Sequence, residues 1–491
     1  MMGRRQSAVQ QDLWIATDQL ALPKGHPFYQ ALNRLLEETG FDSFVQELCA
    51  PFYCLETGRP GVPPEVYFRM LLIGYFEGID SERGIAWRSA DSLALRGFLG
   101  YALDRPTPDH SSLCRIRQRL PLEVHREVFV WVLSVLAAKG LIEGKTVGVD
   151  ATTLEANAAM RSIVRRDTGE SYNEFLTQLA KASGIDTPSR DDLARLDRTR
   201  KKTTSNKDWT YPYDDDARVA KLKDGRTHLA HKAEHAVDMH SGVILATTLQ
   251  RADLGDTTTL TVTLAEAIEN LDEVRAAVGE STEDTRRDKP AGDDESRDDD
   301  SNDDSNGGSS ASIMNSGGVE ELVADKGYHS NDTCRDLTEA ELRSYISEPD
   351  RGRRKWQGKP DEQAAVYANR RRVKGDRGKA LMADRGELIE RSFAHCYETG
   401  AMRRTHLRGH PNILKRLLIH VAGFNLGQLL RRVLGIGAPR GLQDGRSAFV
   451  GAFLALFGLV KEHLAAKVSQ NSALSAFVAA RSNFSSTRTA A

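Results

Sequence analysis

Two short apolar runs of this chain each end in an aspartate, and this feature constrains the fold more than any other. The β-prone run 146–149 precedes Asp150, and the run 320–324 precedes Asp325. A carboxylate at the end of a buried strand projects from a rigid scaffold, and leaving it there unpaired is costly. If the two strands are neighbours, we expect the two carboxylates to share a hard divalent cation such as Mg²⁺.

Five β-prone runs alternate with helical segments in the second part of the chain. The runs are 146–150, 228–238, 243–249, 320–325 and 344–346. The turn His240-Ser241-Gly242 between the second and third runs predicts a hairpin. The helical segments are 257–271, 387–397 and 412–434. This order predicts an α/β domain with a mixed sheet flanked by helices.

The first 142 residues indicate an all-α domain. Pro64 is placed to begin a helix, and Asp109 is placed to cap another. The capped helix carries Arg115 and Arg119 four positions apart on one outward face. A helix, a turn and an arginine-bearing helix are typical of a DNA-reading unit. An ordinary helical bundle with a polar outer face explains the same pattern, so DNA binding and oligomerisation both stay open for residues 1–142.

Four other segments have distinct compositions. Residues 160–228 are polar and indicate an insertion, whose Trp209, Tyr211 and Tyr213 either stack on bases or pack locally. The acidic, low-complexity segment 280–316 predicts a disordered loop. Residues 351–379 indicate a basic loop. Residues 436–491 predict a helical tail whose apolar part is either core or an oligomer face.

The net charge of −2 hides a strong separation of charge along the chain. Residues 280–304 hold 12 acidic and 4 basic residues, whereas residues 343–416 hold 19 basic and 9 acidic ones. A basic block is the expected footprint of a nucleic-acid binder, although a solvated charged face gives the same composition.

The composition also predicts a cellular compartment. The five cysteines contain no C-x-x-C pair, which favours reduced thiols over disulfides or a zinc site. The most apolar run, 447–460, is shorter than the roughly 20 residues of a spanning helix. We also see no secretory signal and therefore expect a cytoplasmic protein without a membrane segment.

Glu390 is a third acid in an apolar context, within the predicted helical segment Leu388-Ile389-Glu390-Arg391-Ser392-Phe393. A helix packed across the sheet could bring it to the two aspartates. Three carboxylates can hold two divalent ions, which suits phosphoryl transfer. A helix cap or a surface ion pair explains any one of these acids alone. Glu234 and Asp238, on a neighbouring predicted strand, could support them.

Four short sequence motifs indicate a family resemblance. The motifs are Val149-Asp150-Ala151-Thr152, Ala324-Asp325-Lys326-Gly327-Tyr328, Ile389-Glu390-Arg391-Ser392-Phe393 and the stretch from Arg403-Arg404 to Arg408-Gly409. In this order they make the chain resemble the DDE transposases of bacterial insertion sequences, in the branch with a helical N-terminal domain. The resemblance covers about residues 20–435.

The resemblance implies a fold, a reaction and roles for residues. It implies a ribonuclease-H-like catalytic domain at residues 143–435, which cuts transposon ends and joins the freed 3′ hydroxyl to target DNA. Two Mg²⁺ or Mn²⁺ ions would be held by the catalytic acids Asp150, Asp325 and Glu390. Phosphate contacts would fall to Lys326, Arg391, Arg403, Arg404 and Arg408, and base reading to Arg115 and Arg119. The partner would be double-stranded DNA at the nucleoid, bound by a homodimer or a larger assembly.

The chain departs from the family pattern around the glutamate. Related families often place a tyrosine and an arginine before it and a lysine seven residues after it. Here Tyr397 is the seventh residue after Glu390, and the nearest preceding arginine is Arg385. Glu387 is therefore an alternative to Glu390. A nuclease of the same fold without strand transfer, or an inactive DNA-binding remnant, is an alternative function.

Overall fold

The computed structural model describes residues 25–54, 61–199, 205–222, 225–287, 314–350, 352 and 354–442. Its α-helices are α1 (Pro27–Glu38), α2 (Phe41–Cys49), α3 (Pro64–Glu77), α4 (Glu82–Asp91), α5 (Leu93–Phe98), α6 (His110–Arg119), α7 (Leu122–Ala138), α8 (Tyr172–Ala182), α9 (Arg190–Thr199), α10 (Asp256–Arg287), α11 (Asn331–Glu339), α12 (Pro360–Lys374), α13 (Asp376–Phe393) and α14 (His410–Leu434). Its strands are β1 (Thr146–Glu155), β2 (Val164–Arg165), β3 (Trp209–Thr210), β4 (Arg218–Lys221), β5 (Thr227–Asp238), β6 (Ile244–Arg251), β7 (Glu321–Ala324) and β8 (Arg343–Ile346).

One mixed sheet contains all the strands except the β2–β3 ribbon. The long strand β5 pairs antiparallel with β1 on one side and with β4 and β6 on the other. On the far side of β1, β7 is parallel to β1 and β8 is parallel to β7. The predicted α/β class with a mixed sheet is confirmed, and β1 lies at the centre of the sheet.

The predicted hairpin between β5 and β6 is confirmed. Gly242 in its turn has a φ of 78°, a left-handed conformation that glycine adopts without strain. The Asp238 carboxylate accepts a 2.8 Å hydrogen bond from Ser241 Oγ and also faces the N–H groups of Glu143 and Gly144, just before β1. Asp238 therefore stabilises the hairpin and the entry to β1.

Two of the N-terminal helices begin where local side chains predict. Pro64 is the first residue of α3. Asp109 caps α6 by accepting a 2.8 Å hydrogen bond from the Ser112 N–H. The hydrogen bonds from Ser112 and Ser111 lower the pKa of Asp109 to about 2. Its carboxylate is therefore charged at neutral pH, where it also complements the positive end of the helix dipole.

The N-terminal helices and the sheet share one continuous hydrophobic core. The buried helix α14 joins them: its His420 ring lies 4.9 Å from the ring of Tyr75 on α3, and its Asn425 amide bonds to both backbone groups of Ile244 on β6. The buried Arg416 donates a 3.0 Å hydrogen bond to the Ile79 carbonyl, just after α3. The predicted domain boundary at 142–143 falls in the loop between α7 and β1.

The segment 351–379, interpreted as a loop from its basic composition, is largely helical. Pro360 is placed at the first turn of α12, where a missing N–H is tolerated. Asn369 on α12 bonds to the backbone N–H and C=O of Ile346 at 2.9 and 2.8 Å, and so satisfies the edge strand β8. The interpretation was wrong because the buried stripe of this helix is narrow and includes the polar residues Glu362 and Asn369, so the segment has little apolar periodicity.

The insertion between β1 and β5 has a small core of its own. It consists of β2, β3, α8 and α9 around Tyr172, Leu176 and Trp209. Ser171 and Glu174 form a capping box that begins α8.

The predicted acidic loop and the predicted C-terminal tail lie mostly outside the described residues. Helix α10 continues to Arg287, so the first part of the predicted acidic loop 280–316 is helical. Residues 288–313 lie outside the described residues, as do residues 443–491 of the predicted tail. Of the described part of the tail, Pro439–Leu442 is a short 3-10 turn.

Candidate active site at the end of strands β1 and β7

The parallel pairing of β1 with β7 brings Asp150 and Asp325 to neighbouring positions. Val149 is opposite Ala324 in the register of the two strands, and each aspartate follows directly. Asp150 is still within β1, whereas Asp325 is the first residue after β7. The two acids predicted to share a cation therefore lie side by side at the carboxyl end of β7.

Asp325 is oriented by the short 3-10 turn that follows it, at Lys326–Tyr328. Its Oδ1 accepts a 2.8 Å hydrogen bond from the Gly327 N–H. Gly327 has no room for a side chain, because a Cβ there would clash with Oδ2 of Asp256 and lie 3.0 Å from Oδ1 of Asp325. Asp256, the first residue of α10, is thus a third acid beside the site, which the sequence analysis missed.

Tyr328 anchors the same turn in the interior. Its side chain is fully buried, and its hydroxyl donates a 3.1 Å hydrogen bond to Oε1 of Glu234 on β5. Glu234 also accepts hydrogen bonds from Thr259 and Thr263 on α10. Glu234 thus contacts the turn that carries Asp325.

Lys232 offsets the charge of two of these acids. Its Nζ lies 3.0 Å from Oε1 of Glu234 and 2.6 Å from Oδ1 of Asp256, and it donates a 2.8 Å hydrogen bond to Thr259 Oγ1. A buried ammonium is stable only when paired in this way. Asp256 in turn contacts Gly327. Lys232 therefore supports the turn beside Asp325 indirectly, through the side chain of Asp256.

Both carboxylate oxygens of Asp150 are engaged. Oδ1 accepts a 2.8 Å hydrogen bond from the Ala151 N–H, and Oδ2 lies 2.9 Å from Nη1 of Arg385 on α13. Burial raises the pKa of Asp150, and the negative charge of Asp325 adds to this rise. Arg385 and the Ala151 N–H act in the opposite direction and lower the pKa. The repulsion between the two aspartates is the electrostatic condition that a divalent cation relieves.

Helix α13 packs on the face of the sheet to which Asp150 points. Its Ile389 lies against Gly148, where an added Cβ would be 3.0 Å from Ile389 Cδ1. His235, opposite Asp150 on β5, bonds to Ser392 Oγ at 3.0 Å and to the Tyr397 hydroxyl at 2.7 Å. Because Ser392 Oγ donates to the Ile389 carbonyl, His235 Nδ1 carries the proton and Nε2 accepts from Tyr397.

Glu390 and its alternative Glu387 both lie on the exposed part of α13. Glu390 follows the buried Ile389 directly, whereas Glu387 is ion-paired with Arg391. Among the described residues, no group of three or more His, Cys, Asp or Glu side chains is arranged to hold a metal ion. The structure thus brings Asp150 and Asp325 together and does not bring Glu390 into a three-acid group with them.

The donor chemistry of this pair fits a hard divalent cation. Asp150 and Asp325 offer carboxylate oxygens, which Mg²⁺ and Mn²⁺ prefer, and few protein ligands leave positions for water and phosphate oxygens. A guanidinium already lies on Asp150, so the site accepts positive charge in its present arrangement.

Two of the predicted phosphate-contacting arginines lie beyond Asp150 near the end of β1, and a third lies on the insertion. The Arg403 guanidinium donates to Thr152 Oγ1 and the Thr153 carbonyl of β1. Arg404 is half-exposed and lies 4.0 Å from the carboxylate of Glu155, the last residue of β1. Arg408 is exposed and lies over the rings of Tyr211 and Tyr213.

The other predicted DNA contacts are more dispersed. Lys326 is exposed beside Asp325, and Arg391 is engaged by Glu387. Arg115 and Arg119 are exposed on α6, where the Arg119 guanidinium lies 4.9 Å from the centre of the Tyr53 ring.

The three aromatic residues of the insertion differ in burial. Trp209 and Tyr211 are buried and pack in the insertion core. Tyr213 is 68% exposed, so its ring alone is accessible for stacking.

A family model described as "Transposase domain (DUF772)" matches residues 18–119, about a fifth of the chain. The matched range includes α1 to α6 and the exposed arginines Arg115 and Arg119. No curated protein and no solved structure matches the chain. In the part of the chain that the structure describes, no helix combines the length and apolarity needed to cross a membrane. The family match supports a transposase, an enzyme that cuts DNA.

Proposed function

We propose that the chain is a DDE transposase, which cuts DNA at transposon ends and joins the freed 3′ hydroxyl to target DNA. The observation that carries the proposal is the pair Asp150 and Asp325, placed side by side by the parallel pairing of β1 and β7. The mixed sheet with β1 at its centre is consistent with a ribonuclease-H-like catalytic domain. The transposase family match to the N-terminal helices supports the same reaction from an independent part of the chain.

In this proposal Asp150, Asp325 and Glu390 hold two Mg²⁺ or Mn²⁺ ions. The ions would supply Lewis acidity at the attacking and the leaving oxygens of the phosphoryl transfer. To complete the set of three metal ligands, the Glu390 side chain must reorient toward Asp150. This is compatible with the position of α13, which packs over the face of the sheet to which Asp150 points. Glu387, ion-paired with Arg391, is the alternative third acid.

The basic residues near the end of β1 would position the DNA. Arg403 and Arg404 lie near the end of β1, and Arg408 lies over two rings of the insertion, so we expect them to contact phosphates of the DNA backbone. Lys326 follows Asp325 directly and is exposed, which suits a contact with the phosphate that reacts. Arg115 and Arg119 would contact DNA from the N-terminal helices.

A cleavage and strand-transfer assay with the purified full chain tests the proposal. The substrate is duplex DNA containing the element's own ends, with one 3′ end labelled, in Mg²⁺. We expect nicking and transfer by the wild type, and a loss of at least about a hundredfold in Asp150→Ala, Asp325→Ala and Glu390→Ala, because each removes a ligand of a group that stabilises the transition state by several kcal/mol. Glu387→Ala distinguishes the two candidates for the third acid: it should retain activity if Glu390 is the ligand, whereas an inactive Glu387→Ala beside an active Glu390→Ala would assign the role to Glu387.

The outcomes separate the alternatives. Nicking without transfer would identify a nuclease of the same fold. DNA binding without nicking would identify an inactive remnant. Full activity of Asp150→Ala would contradict the proposed site.

A further inference from the structure

The ion pair between Arg385 and Asp150 occupies the position at which the proposed reaction needs a divalent cation. Arg385 Nη1 lies 2.9 Å from Asp150 Oδ2, and the two side chains are only 18% and 24% exposed. The second oxygen of Asp150 already accepts the Ala151 N–H. A cation that binds Asp150 through Oδ2 must therefore compete with the guanidinium.

None of the other charged groups described around Asp150 neutralises its carboxylate by direct contact. Asp325 is the neighbouring negative charge, and the exposed Lys326 follows it. Lys232, the buried cation of the adjacent network, is engaged by Glu234 and Asp256. Arg385 is thus the basic side chain that contacts Asp150 among the described residues.

The guanidinium of Arg385 is incompletely satisfied where it lies. Its Nε is buried and has no hydrogen-bond partner among the described residues. A buried donor without a partner destabilises the arrangement that leaves it unpaired. An arginine presents five N–H donors in a planar fork that matches a phosphate, so a phosphate near the site would satisfy this side chain better than Asp150 alone does.

We propose that Arg385 is an exchangeable counter-cation of the site, which holds Asp150 in the absence of DNA and moves to a backbone phosphate when a divalent cation takes its place. This inference rests on the proposed function. It makes cation binding and DNA binding mutually supportive, because the same guanidinium either blocks the cation or contacts the phosphate. It also gives the DNA-free protein a carboxylate pair whose repulsion is already partly neutralised.

Mn²⁺ binding to the DNA-free full chain tests the first half of the inference. The free Mn²⁺ concentration is followed by electron paramagnetic resonance for the wild type, Arg385→Gln, Arg385→Lys and Asp150→Asn. We expect Arg385→Gln to bind Mn²⁺ at least about tenfold more tightly, because removing a unit charge at hydrogen-bond distance removes a large repulsion of the cation. Arg385→Lys retains the charge, so its affinity should stay near that of the wild type.

Lys379→Gln is the matched control, because it removes a positive charge from the exposed face of the same helix, where Lys379 pairs with Asp376. It should leave the Mn²⁺ affinity unchanged. A folded Arg385→Gln protein that binds Mn²⁺ as weakly as the wild type, or more weakly, would overturn the inference. If Asp150→Asn also binds Mn²⁺ like the wild type, the proposed function falls with it; if Asp150→Asn loses Mn²⁺, only the inference falls.

Binding to a duplex of arbitrary sequence tests the second half. With Ca²⁺ present, the slope of log K against log salt should be shallower by about 0.9 for Arg385→Gln than for the wild type, because one phosphate contact is lost. In EDTA the two proteins should have the same slope, because Arg385 is then held by Asp150. Equal slopes in both buffers would contradict the transfer of Arg385 to a phosphate.

Discussion

Oδ2 of Asp256 lies so close to Gly327 that a Cβ added at this position would clash with it. The side chain at the start of α10 and the turn after β7 are thus in close contact at a glycine. Gly327→Ala should shift either Asp256 or the turn that carries Asp325. Because the clashing atom is the end of a side chain that is 38% exposed and can move, we expect a destabilisation of about 1 kcal/mol, the low end of the range for overpacking.

Chemical denaturation and DNA cleavage measure the two consequences of Gly327→Ala. We expect a lower free energy of unfolding and a larger proportional loss of cleavage. Gly255→Ala is the matched control, because a Cβ at Gly255 would contact nothing within 4 Å. If Gly327→Ala were as stable and as active as Gly255→Ala, the close fit at this turn would be wrong.

Lys232→Met should be strongly destabilising. The substitution removes the cation that contacts Glu234 and Asp256 and leaves the fully buried Glu234 carboxylate with hydrogen-bond donors but no positive charge beside it. Removing one member of a buried ion pair typically costs about 3–5 kcal/mol. Urea denaturation measures the loss, and Lys221→Met, on the exposed end of β4, is the control that should change stability little.

His235 should contribute to the loss of stability in acid. Burial lowers its pKa from 6.5 to about 3, so the folded protein leaves it neutral where the unfolded chain binds a proton. Stability therefore falls as the pH falls from about 6.5 toward 3, by up to about 1.4 kcal/mol per pH unit for this one group.

The histidine effect is measured from unfolding free energies between pH 4 and pH 6. Although His235→Gln loses the contacts to Ser392 and Tyr397, its stability should depend less steeply on pH than that of the wild type. The exposed His406 provides the control His406→Gln. Parallel pH dependences of His235→Gln and the wild type would show that His235 is protonated in the folded protein.

Arg404→Gln should weaken DNA binding without affecting the fold. Arg404 is 51% exposed, and its partner Glu155 is 4.0 Å away, so its loss should change stability by less than about 0.5 kcal/mol. If it contacts a phosphate, DNA affinity should fall similarly for all sequences, and the salt slope should decrease by about 0.9. Arg335→Gln, on the acidic face of α11, is the control; equal salt slopes for the two variants would remove Arg404 from the DNA-binding surface.

Local signals were sufficient to predict much of the fold. The hairpin at Gly242, the cap at Asp109 and the start of α3 at Pro64 each depend on residues adjacent in sequence, and all three are confirmed. Helix α12 was missed because its stability comes from tertiary contacts such as that of Asn369 with Ile346, which no local pattern encodes.

The candidate site could be predicted only in part, for the same physical reason. Asp150 and Asp325 could be predicted as candidate site residues because each follows an apolar run, and the end of a strand is a local feature of the sequence. Two other features of the site join residues from different elements. One is the pairing of Arg385 with Asp150, and the other is the network of Lys232, Glu234 and Asp256. Their pairing depends on sheet register and on how α10 and α13 pack, so they emerge only in three dimensions.

In the proposed site, Asp150 and Asp325 hold a divalent cation, and Glu390 completes the set of ligands when DNA is bound. The most direct measurement is an anomalous difference map from crystals of the full chain with transposon-end DNA and Mn²⁺. We predict a manganese peak at about 2.0–2.2 Å from carboxylate oxygens of both Asp150 and Asp325, with Glu390 turned toward it. A DNA-bound structure with manganese elsewhere, and with Arg385 still on Asp150, would contradict the account.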